Sequence, residues 1–357
     1  MEIDMFRRQL NRFSFTDLAI WIIGGLLVAI VVVGSYKTLQ QGTYTTRQWL
    51  DFLVFGIAQG SIYALIALGY TLVYGILRMI NFAHSEVFMS GAFTAYFAAD
   101  AMGASGFLKA HTVTAILILF AIAMATSILI AVLLERIAYR PLRRAPRLVP
   151  LITAIGASFF LQYTFKGLYG SEFRAYPEIA ALKGGWTFGD FNITKIEVLV
   201  IVAAGLLMLG LYLYVQYTKT GKAMRAVSED KDVAALMGID VDAIIVRTFV
   251  LGAALAGAAG ILYALTYRQV NFFMGFTPGI KAFTAAVLGG IGNIPGAMLG
   301  GIFLGLFESV GPILFLDGFH VPAPYQLKDV IAFLMLVLIL LFRPSGLLGE
   351  RLSGKKA

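Results

Sequence analysis

The sequence has 357 residues with a mean hydropathy of +0.83, 59% hydrophobic residues and only 13% charged residues. Soluble domains carry about 25% charged residues, so this composition excludes a soluble enzyme, a disordered chain and a nucleic-acid-binding protein. The formal net charge of +8 must therefore be interpreted from where the basic residues fall relative to a membrane. Because the chain has no cysteine and its three histidines are far apart, we expect no metal site and no cofactor.

Ten apolar segments approach or exceed the roughly 20 residues that a membrane-spanning helix needs. They are 18–35, 50–77, 85–101, 112–134, 148–165, 196–217, 245–266, 280–292, 295–316 and 328–342. The short segments 85–101 and 280–292 predict tilted, broken or re-entrant helices, and the overlong, glycine-containing 50–77 predicts a bent or split helix. The fold class is therefore an all-α polytopic membrane protein with about eight to ten transmembrane helices.

Lysine and arginine are distributed unevenly among the predicted loops. The loops on the side of the N-terminus hold 18 of the 28 basic residues, most densely between residues 136 and 147. The positive-inside rule then places both termini in the cytoplasm. We expect one membrane domain over 47–350, preceded by an N-terminal tail and extra first helix in 1–46 and followed by a basic tail, 351–357.

Two segments of the chain resemble each other at an offset of 190 residues. Asn81-Phe82 is followed by Ala-Phe-Thr-Ala at 92–95, and Asn271-Phe272 is followed at the same distance by Ala-Phe-Thr-Ala at 282–285. Paired interrupted segments in two halves predict an internal repeat with the transport pathway at its interface. Coincidence in a chain rich in alanine and phenylalanine is the alternative.

The loop 218–240 has helical character over 222–237, and Gly238 stands where a C-cap glycine would end the helix. Five apolar residues can share one face of that helix: Ala223, Ala226, Val227, Ala234 and Met237. The other faces carry both signs of charge, from Arg225, Glu229, Asp230 and Asp232. An amphipathic helix of this kind favours docking into a groove of another protein. Binding to anionic lipid headgroups is disfavoured by the acidic residues.

Polar side chains inside apolar segments are costly and suggest a transport pathway. Asn81, His84 and Glu86 stand between two apolar runs, which predicts a break between helices, and Asn271 occupies the repeated position. These groups either contact a zwitterionic substrate or tether helix ends, with Arg78 as the local ion partner. Glu308 lies deep in another apolar run. We expect it to face protein or water and to form a packed ion pair or hydrogen bond. It is also a further candidate for the pathway.

The spacing Asp232-Val-Ala234-x-x-x-Gly238 resembles the Glu-Ala-Ala-x-x-x-Gly loop of ABC importer permeases. Longer motifs lie at 60–75, 79–86, 135–142 and 281–301. The last of them begins Lys-Ala-Phe-Thr-Ala-Ala-Val-Leu-Gly-Gly and ends in Gly301. Together they resemble the LivH-type permease subunits of branched-chain amino acid ABC importers over roughly 50–350.

This resemblance implies a permease subunit in a bacterial or archaeal cytoplasmic membrane that moves leucine, isoleucine, valine or similar amino acids. It implies three kinds of protein partner: a second related permease, two cytoplasmic ATPases whose docking loop here is 218–240, and an extracytoplasmic solute-binding protein. We find no nucleotide site, since the phosphate-binding pattern in 349–356 ends in Lys356 where serine or threonine is needed. The alternatives are a permease for urea, amides or other amino acids, and an ion-coupled secondary transporter using Glu86 and Glu308.

Overall fold

The computed structural model describes residues 15–143, 145–146, 148–189, 191–343 and 345–349, with the side chains of 15–21 and 188 left out. The basic residues before 15 and the tail 351–357, on which part of the topology prediction rests, lie outside the described residues. The helices are α1 (Phe15–Gln41), α2 (Thr46–Leu77), α3 (His84–Ala104), α4 (Phe107–Ala110), α5 (Thr112–Leu134), α6 (Leu148–Tyr169), α7 (Lys195–Tyr217), α8 (Lys219–Glu229), α9 (Lys231–Leu236), α10 (Val241–Tyr267), α11 (Phe276–Gly289), α12 (Ile294–Leu316) and α13 (Lys328–Phe342).

Within the described residues, eight helical segments are long and apolar enough to cross a membrane. They are Ile22–Gln41, Thr46–Leu77, Thr112–Leu142, Leu148–Tyr169, Lys195–Tyr217, Val241–Tyr267, Ile294–Phe319 and Pro324–Phe342. This confirms the predicted fold class. The two short segments become α3 and α11, which do not qualify as full spans, whereas the overlong segment forms one continuous helix of 32 residues rather than two.

The two ends of α7 define opposite faces of the molecule. A helix of 23 residues is about 34 Å long. It begins directly after a β-hairpin of β2 (Gly185–Phe188) and β3 (Phe191–Thr194), and it ends at the loop 218–240. We call these ends the hairpin face and the loop face. At the hairpin face, β1 (Arg174–Ala175) also pairs antiparallel with β4 (Gln269–Val270).

The centre of the bundle is formed by α2 and α10, which are the most buried of the spanning helices. Small residues let the neighbouring backbones approach closely. A Cβ added at Gly305 of α12 would collide with the backbone of Gly60 in α2, and one added at Gly252 of α10 would lie 3.2 Å from the Cα of Gly69. Glycine at these positions therefore sets the distance between the central helices.

The turns that follow α2 and α10 have the same backbone conformation. Each helix ends at a left-handed arginine, Arg78 with φ 55° and Arg268 with φ 53°, 190 residues apart. In each turn the main chain then makes the same hydrogen bond, from His84 N to Asn81 O and from Met274 N to Asn271 O. These matches support the predicted repeat.

The packing around the two turns is also related. Helix α2, in the first half of the chain, packs against α11 and α12 of the second half. Helix α10, in the second half, packs against α3 and α5 of the first half. Arg78 contacts Ser228 at the loop face, whereas Arg268 contacts Glu178 at the hairpin face. The two halves therefore run in opposite directions through the bundle, as in inverted repeats of membrane transporters.

The first helix, α1, packs along the end of α12. A Cβ at Gly34 would collide with the carbonyl of Phe315, and Thr38 Oγ1 accepts a hydrogen bond from Gly318 N at 2.8 Å. Most of its remaining described surface is apolar and exposed, as expected for a helix at the edge of a membrane bundle.

Candidate functional site

The loop 218–240 forms two short helices, α8 and α9, instead of the single helix predicted over 222–237. The chain is extended at Asp230, whose carboxylate accepts hydrogen bonds from Asp232 N at 2.9 Å and Val233 N at 3.0 Å. Asp230 thus caps the second helix and ends the first, because its side chain competes for backbone donors. Gly238, with φ +81°, follows the last turn of α9 as predicted.

The two helices bury one side and expose an apolar ridge on the other. Gly221, Met224, Val227 and Ala234 are buried. The exposed fractions of Val233, Leu236 and Met237 are 55%, 86% and 78%. The prediction that Met237 shares a face with Ala234 is wrong, because the chain turns away at the end of α9. The charged residues Glu229, Asp230 and Asp232 are exposed beside this ridge, and Arg225 donates to Gln216 Oε1 at 2.6 Å.

Polar contacts connect this loop, and the start of α10 that follows it, to the bundle. Arg78 Nη2, at the end of α2, donates to Ser228 O in α8 at 3.2 Å. Asp242, at the start of α10, pairs with Arg140 at 2.6 Å and also with Arg143. Burial, and secondarily the nearby Arg143 and Arg78, lower the pKa of Lys231 in this loop.

The Arg143 guanidinium continues this contact into the bundle. It pairs with Glu135, a fully buried carboxylate at the start of a π-helical turn, Glu135–Tyr139, that extends α5. At the other end of that turn the Tyr139 hydroxyl donates to Asn81 Oδ1. A π-helical turn is an uncommon conformation that occurs frequently at functional sites. Contacts through Arg143, Glu135 and Tyr139 thus connect the start of α10, directly after the loop, to the turn between α2 and α3.

His84 and Glu86 lie close to Asn81 but have different neighbours. His84 packs against Gly69 and edge-on against the Tyr70 ring at 5.0 Å. Glu86 Oε1 accepts hydrogen bonds from Gln162 Nε2 at 2.8 Å, Ser158 Oγ at 3.1 Å and Ser85 Oγ at 3.2 Å. The prediction that Arg78 is their ion partner is wrong, since the Arg78 guanidinium reaches away to Ser228.

Glu308 takes part in a buried ion-pair network. Its carboxylate accepts hydrogen bonds from Lys281 Nζ at 2.6 Å and Gln59 Nε2 at 2.9 Å. Lys281 also pairs with Asp329 at 2.6 Å. The network joins α2, α11, α12 and α13. A buried carboxylate needs such partners, because an isolated charge in an apolar interior is very costly.

Asn271 lies at the hairpin face, in the turn between α10 and α11. Its Oδ1 accepts a hydrogen bond from Phe273 N at 2.8 Å, and the residue lines a cavity of about 410 Å³. The structure therefore groups Asn81, His84 and Glu86 around one turn, but places Asn271 at the other turn and Glu308 in a separate network.

The sequence reasoning missed several partners of these residues. Lys281 had a signal that could have identified it, since a lysine within the short apolar segment 280–292 requires a carboxylate. Gln162, Ser158 and Tyr139 had no comparable signal, because polar residues of these types are common in transmembrane helices.

Comparison with known proteins gives a consistent result. The family described as branched-chain amino acid transport system / permease component matches residues 52–340. The high-affinity branched-chain amino acid transport system permease protein BraD of Pseudomonas aeruginosa is 45% identical over 307 residues, covering 85% of this chain and 96% of BraD. The corresponding LivH protein of Escherichia coli is 42% identical over 313 residues, covering 85% of this chain and 98% of LivH.

A weaker similarity covers part of the chain. The probable branched-chain amino acid transport permease protein LivM of Methanocaldococcus jannaschii is 27% identical over 143 residues, which is 38% of this chain and 41% of LivM. With the family match over most of the sequence and the eight apolar helices, these similarities lead to one conclusion. The chain is a membrane protein that belongs to the family of branched-chain amino acid transport system permease components.

Proposed function

We propose that the chain is one permease subunit of an ATP-driven importer that moves leucine, isoleucine, valine or similar amino acids across the cytoplasmic membrane. The similarity to BraD and LivH over 85% of the chain is the observation that carries this proposal. A second, related permease completes the pathway, a solute-binding protein delivers the amino acid, and two ATPases hydrolyse ATP. The chain itself performs no covalent chemistry.

The exposed ridge of Val233, Leu236 and Met237 supports docking of an ATPase at the loop face. Apolar side chains this exposed are unfavourable in water, and charged residues border them as at the rim of a protein interface. This assignment places the loop face and both termini in the cytoplasm and the hairpin face toward the solute-binding protein. The membrane domain is then 47–350, with the extra helix within 1–46 and a basic tail at 351–357.

Coupling follows the contacts between the loop and the bundle. Movement of α8 and α9 pulls on Arg78 through Ser228 and, because the loop leads directly into α10, on Arg143 through Asp242 of α10. Because Arg143 holds Glu135, and Tyr139 on the same turn holds Asn81, the movement reaches the turn between α2 and α3. The pathway residues Asn81, His84 and Glu86 would then shift together, while Asn271 and Glu308 act elsewhere along the pathway.

The test is uptake by proteoliposomes containing the chain together with ATPase, permease and solute-binding subunits from the same genome. We expect uptake of labelled leucine to require ATP and all of these subunits. Uptake by the purified chain alone, driven by an ion gradient, would instead identify a secondary transporter. Uptake of urea or an amide in preference to leucine would retain the mechanism and replace the substrate.

The docking surface is tested separately by Leu236→Asp combined with Met237→Asp. Burying either carboxylate in an interface is costly, so we expect co-purification of the ATPase to fall by about 100-fold. The matched control is Trp186→Asp, at an exposed position on the hairpin at the opposite face. The control and the loop variant should both insert normally, and only the loop variant should lose the ATPase. Full ATPase capture by the loop variant contradicts this docking surface.

A further inference from the structure

Glu86 is a buried carboxyl group whose surroundings supply no positive charge. Its side chain lies in the first turn of α3 and is 0% exposed. In the part of the chain that the structure describes, no lysine, arginine or histidine forms an ion pair with it. The other fully buried carboxylates described there, Glu135 and Glu308, pair with Arg143 and Lys281. Because an unpaired buried charge is very costly, Glu86 needs a cation that these residues do not supply.

The hydrogen bonds of Glu86 also leave one of its oxygens without a partner. Oε1 accepts hydrogen bonds from Ser85, Ser158 and Gln162, all of them neutral donors. Oε2 is buried and has no partner among the described residues. A proton on Oε2 would not remedy this, because the new O–H would lack an acceptor in turn. A water molecule would supply a donor but no charge. The missing partner is therefore a donor that is also positively charged.

The helix that carries Glu86 reduces the cost of the charge but does not remove it. The start of a helix carries roughly half a positive charge, which favours a carboxylate in the first turn. The main-chain N–H groups of Glu86 and Val87 already donate to Ala83 O, so they are not free to bind the side chain. About half of the negative charge therefore remains without compensation.

Glu86 lies where the two repeated halves of the chain meet. Its neighbour Ser85 packs against the start of α11, since a Cβ added at Gly275 or at Gly279 would collide with Ser85. Transporters built from repeats hold their substrates at the interface between the repeats. The carboxyl group that lacks a cation thus stands at the position where a transport pathway is expected.

One face of α6 connects this position with the hairpin face. Ser158, Gln162 and Lys166 are spaced by four residues and so share a face of the helix. Ser158 and Gln162 contact Glu86, whereas Lys166 Nζ lies 5.3 Å from the ring centre of Phe272, which lines the cavity of about 410 Å³. Eight residues of helix span about 12 Å. A line of polar side chains therefore leads from the cavity to the carboxyl group.

We propose that Glu86 receives the α-ammonium group of the amino acid as it passes through the bundle, with Oε2 as the acceptor. An ammonium group supplies both the donor and the charge that Glu86 lacks. Because the side chain is closed to solvent here, α6 must separate from α3 for the substrate to reach it. This inference rests on the proposed function, which supplies an amino acid as substrate, and adds the residue that recognises its charge.

The charge is tested by Glu86→Gln in the assembled complex. Glutamine keeps an oxygen acceptor for the three donors and removes the charge, so a residue that only tethers helices would tolerate it. We expect ATP-dependent leucine uptake to fall by about 10-fold or more, the effect of losing a hydrogen bond to a charged group. The matched control is Glu197→Gln at the start of α7, where glutamine preserves the capping box. That control should transport normally.

A double change distinguishes the charge from the hydrogen bonds. Glu86→Gln combined with Gln162→Glu moves the carboxylate to the other side of the same contact, and we expect it to restore most of the lost uptake. Co-purification of the ATPase subunits shows that each variant has assembled. Uptake by Glu86→Gln equal to that of the control overturns the proposal, and so does a double variant that assembles but transports no better than Glu86→Gln. Absence of ATP-dependent uptake by the unmodified complex would overturn the proposed function instead.

A metal cation has the same charge as an ammonium group, and replacing sodium and potassium by choline separates the two. We expect leucine uptake by the unmodified complex to stay constant after this replacement. Loss of uptake would assign the positive charge to a metal ion and overturn the proposal.

The ammonium group itself is tested by labelling a single cysteine, since the sequence has none. Ser158→Cys places a thiol beside Glu86, and Asn192→Cys places one on the hairpin. L-leucine should slow the reaction of a small methanethiosulfonate at 158 by about 10-fold when present at roughly ten times its dissociation constant. It should have no effect at 192, and 4-methylpentanoate, which lacks the ammonium group, should protect neither position. Equal protection by both compounds, or none by L-leucine at 158, overturns the proposal.

Discussion

The turn between α2 and α3 and the turn between α10 and α11 have the same backbone conformation but different surroundings. At the loop face, Asn81 Oδ1 accepts a hydrogen bond from the Tyr139 hydroxyl. The π-helical turn that carries Tyr139 begins at Glu135, which pairs with Arg143. At the hairpin face, Asn271 Oδ1 accepts a hydrogen bond from Phe273 N, and the residue lines an open cavity. One backbone motif, inverted in the membrane, thus lies among buried polar contacts at one end and beside an open cavity at the other.

The helices after the two turns also differ at equivalent positions. Gly91 in α3 allows close packing, since a Cβ there would collide with Ser127 and Ala123 of α5. Lys281, 190 residues later in α11, instead forms the buried pair with Glu308. At this pair of equivalent positions, the first half therefore uses close backbone packing and the second half a buried charge pair.

Breaking that charge pair should have the largest effect on stability. Lys281→Met leaves the buried Glu308 with only the more distant Lys328, at 3.9 Å, and we expect a loss of about 3–5 kcal/mol in the free energy of unfolding. The double change Lys281→Met with Glu308→Leu should recover most of this loss, because the buried carboxylate is removed together with its cation and the remaining Asp329 side chain is 46% exposed to solvent. The measurement is unfolding of the purified complex in detergent, followed by intrinsic fluorescence.

Lys109→Met is the matched control for that experiment, since Lys109 is exposed on the short helix α4. It should leave the free energy of unfolding within about 0.5 kcal/mol of the unmodified protein. If Lys281→Met behaves like this control, the buried charge pair does not stabilise the second half at this position, and the contrast with Gly91 fails.

The contact at the other turn should matter more for coupling than for folding. Tyr139→Phe removes the donor to Asn81, and leaving a buried acceptor unpaired costs about 1–3 kcal/mol. We expect the number of leucine molecules imported per ATP hydrolysed to fall, because movement of the loop no longer reaches the turn. The measurement is uptake and phosphate release from the same proteoliposomes.

Tyr176→Phe is the control for the coupling experiment. The Tyr176 hydroxyl is buried at the hairpin face and has no hydrogen-bond partner among the described residues. Its removal should leave the ratio of uptake to hydrolysis unchanged. A purely structural role for Tyr139 would lower uptake and hydrolysis in proportion, and the ratio would then stay constant in both variants.

Local features of this architecture were predictable from the sequence, and contacts between distant residues were not. The break after Leu77, the two short segments and the end of the loop helix at Gly238 follow from residues within one or two helical turns. The pairing of Lys281 with Glu308, of Gln162 with Glu86 and of Tyr139 with Asn81 depends on how helices are rotated against each other. Hydrophobic periodicity carries little of that information when a helix is apolar on every side.

The arginines that end α2 and α10 provide the smallest and most specific contrast. Arg78 donates to a backbone carbonyl, which does not titrate, whereas Arg268 pairs with Glu178 at 2.7 Å. Hydrogen bonds from Lys183 and then from Arg268 hold the pKa of Glu178 below its ordinary value of 4.5. A carboxyl group with a lowered folded-state pKa stabilises the protein above its unfolded pKa, and the stabilisation is lost as the pH falls through the folded pKa.

Acidification should therefore loosen the turn at the hairpin face before the turn at the loop face. We expect amide hydrogen exchange, corrected for its intrinsic pH dependence, to accelerate around Gln269 and Val270 below the ordinary pKa of glutamate and to stay constant around Asn81. In Glu178→Gln the pair is absent at every pH, so exchange at 269–270 should be faster near neutrality and no longer respond to acid. If exchange at 269–270 still responds to acid in Glu178→Gln, another carboxylate is responsible for that response. The two turns would then not differ in the way their arginines are anchored.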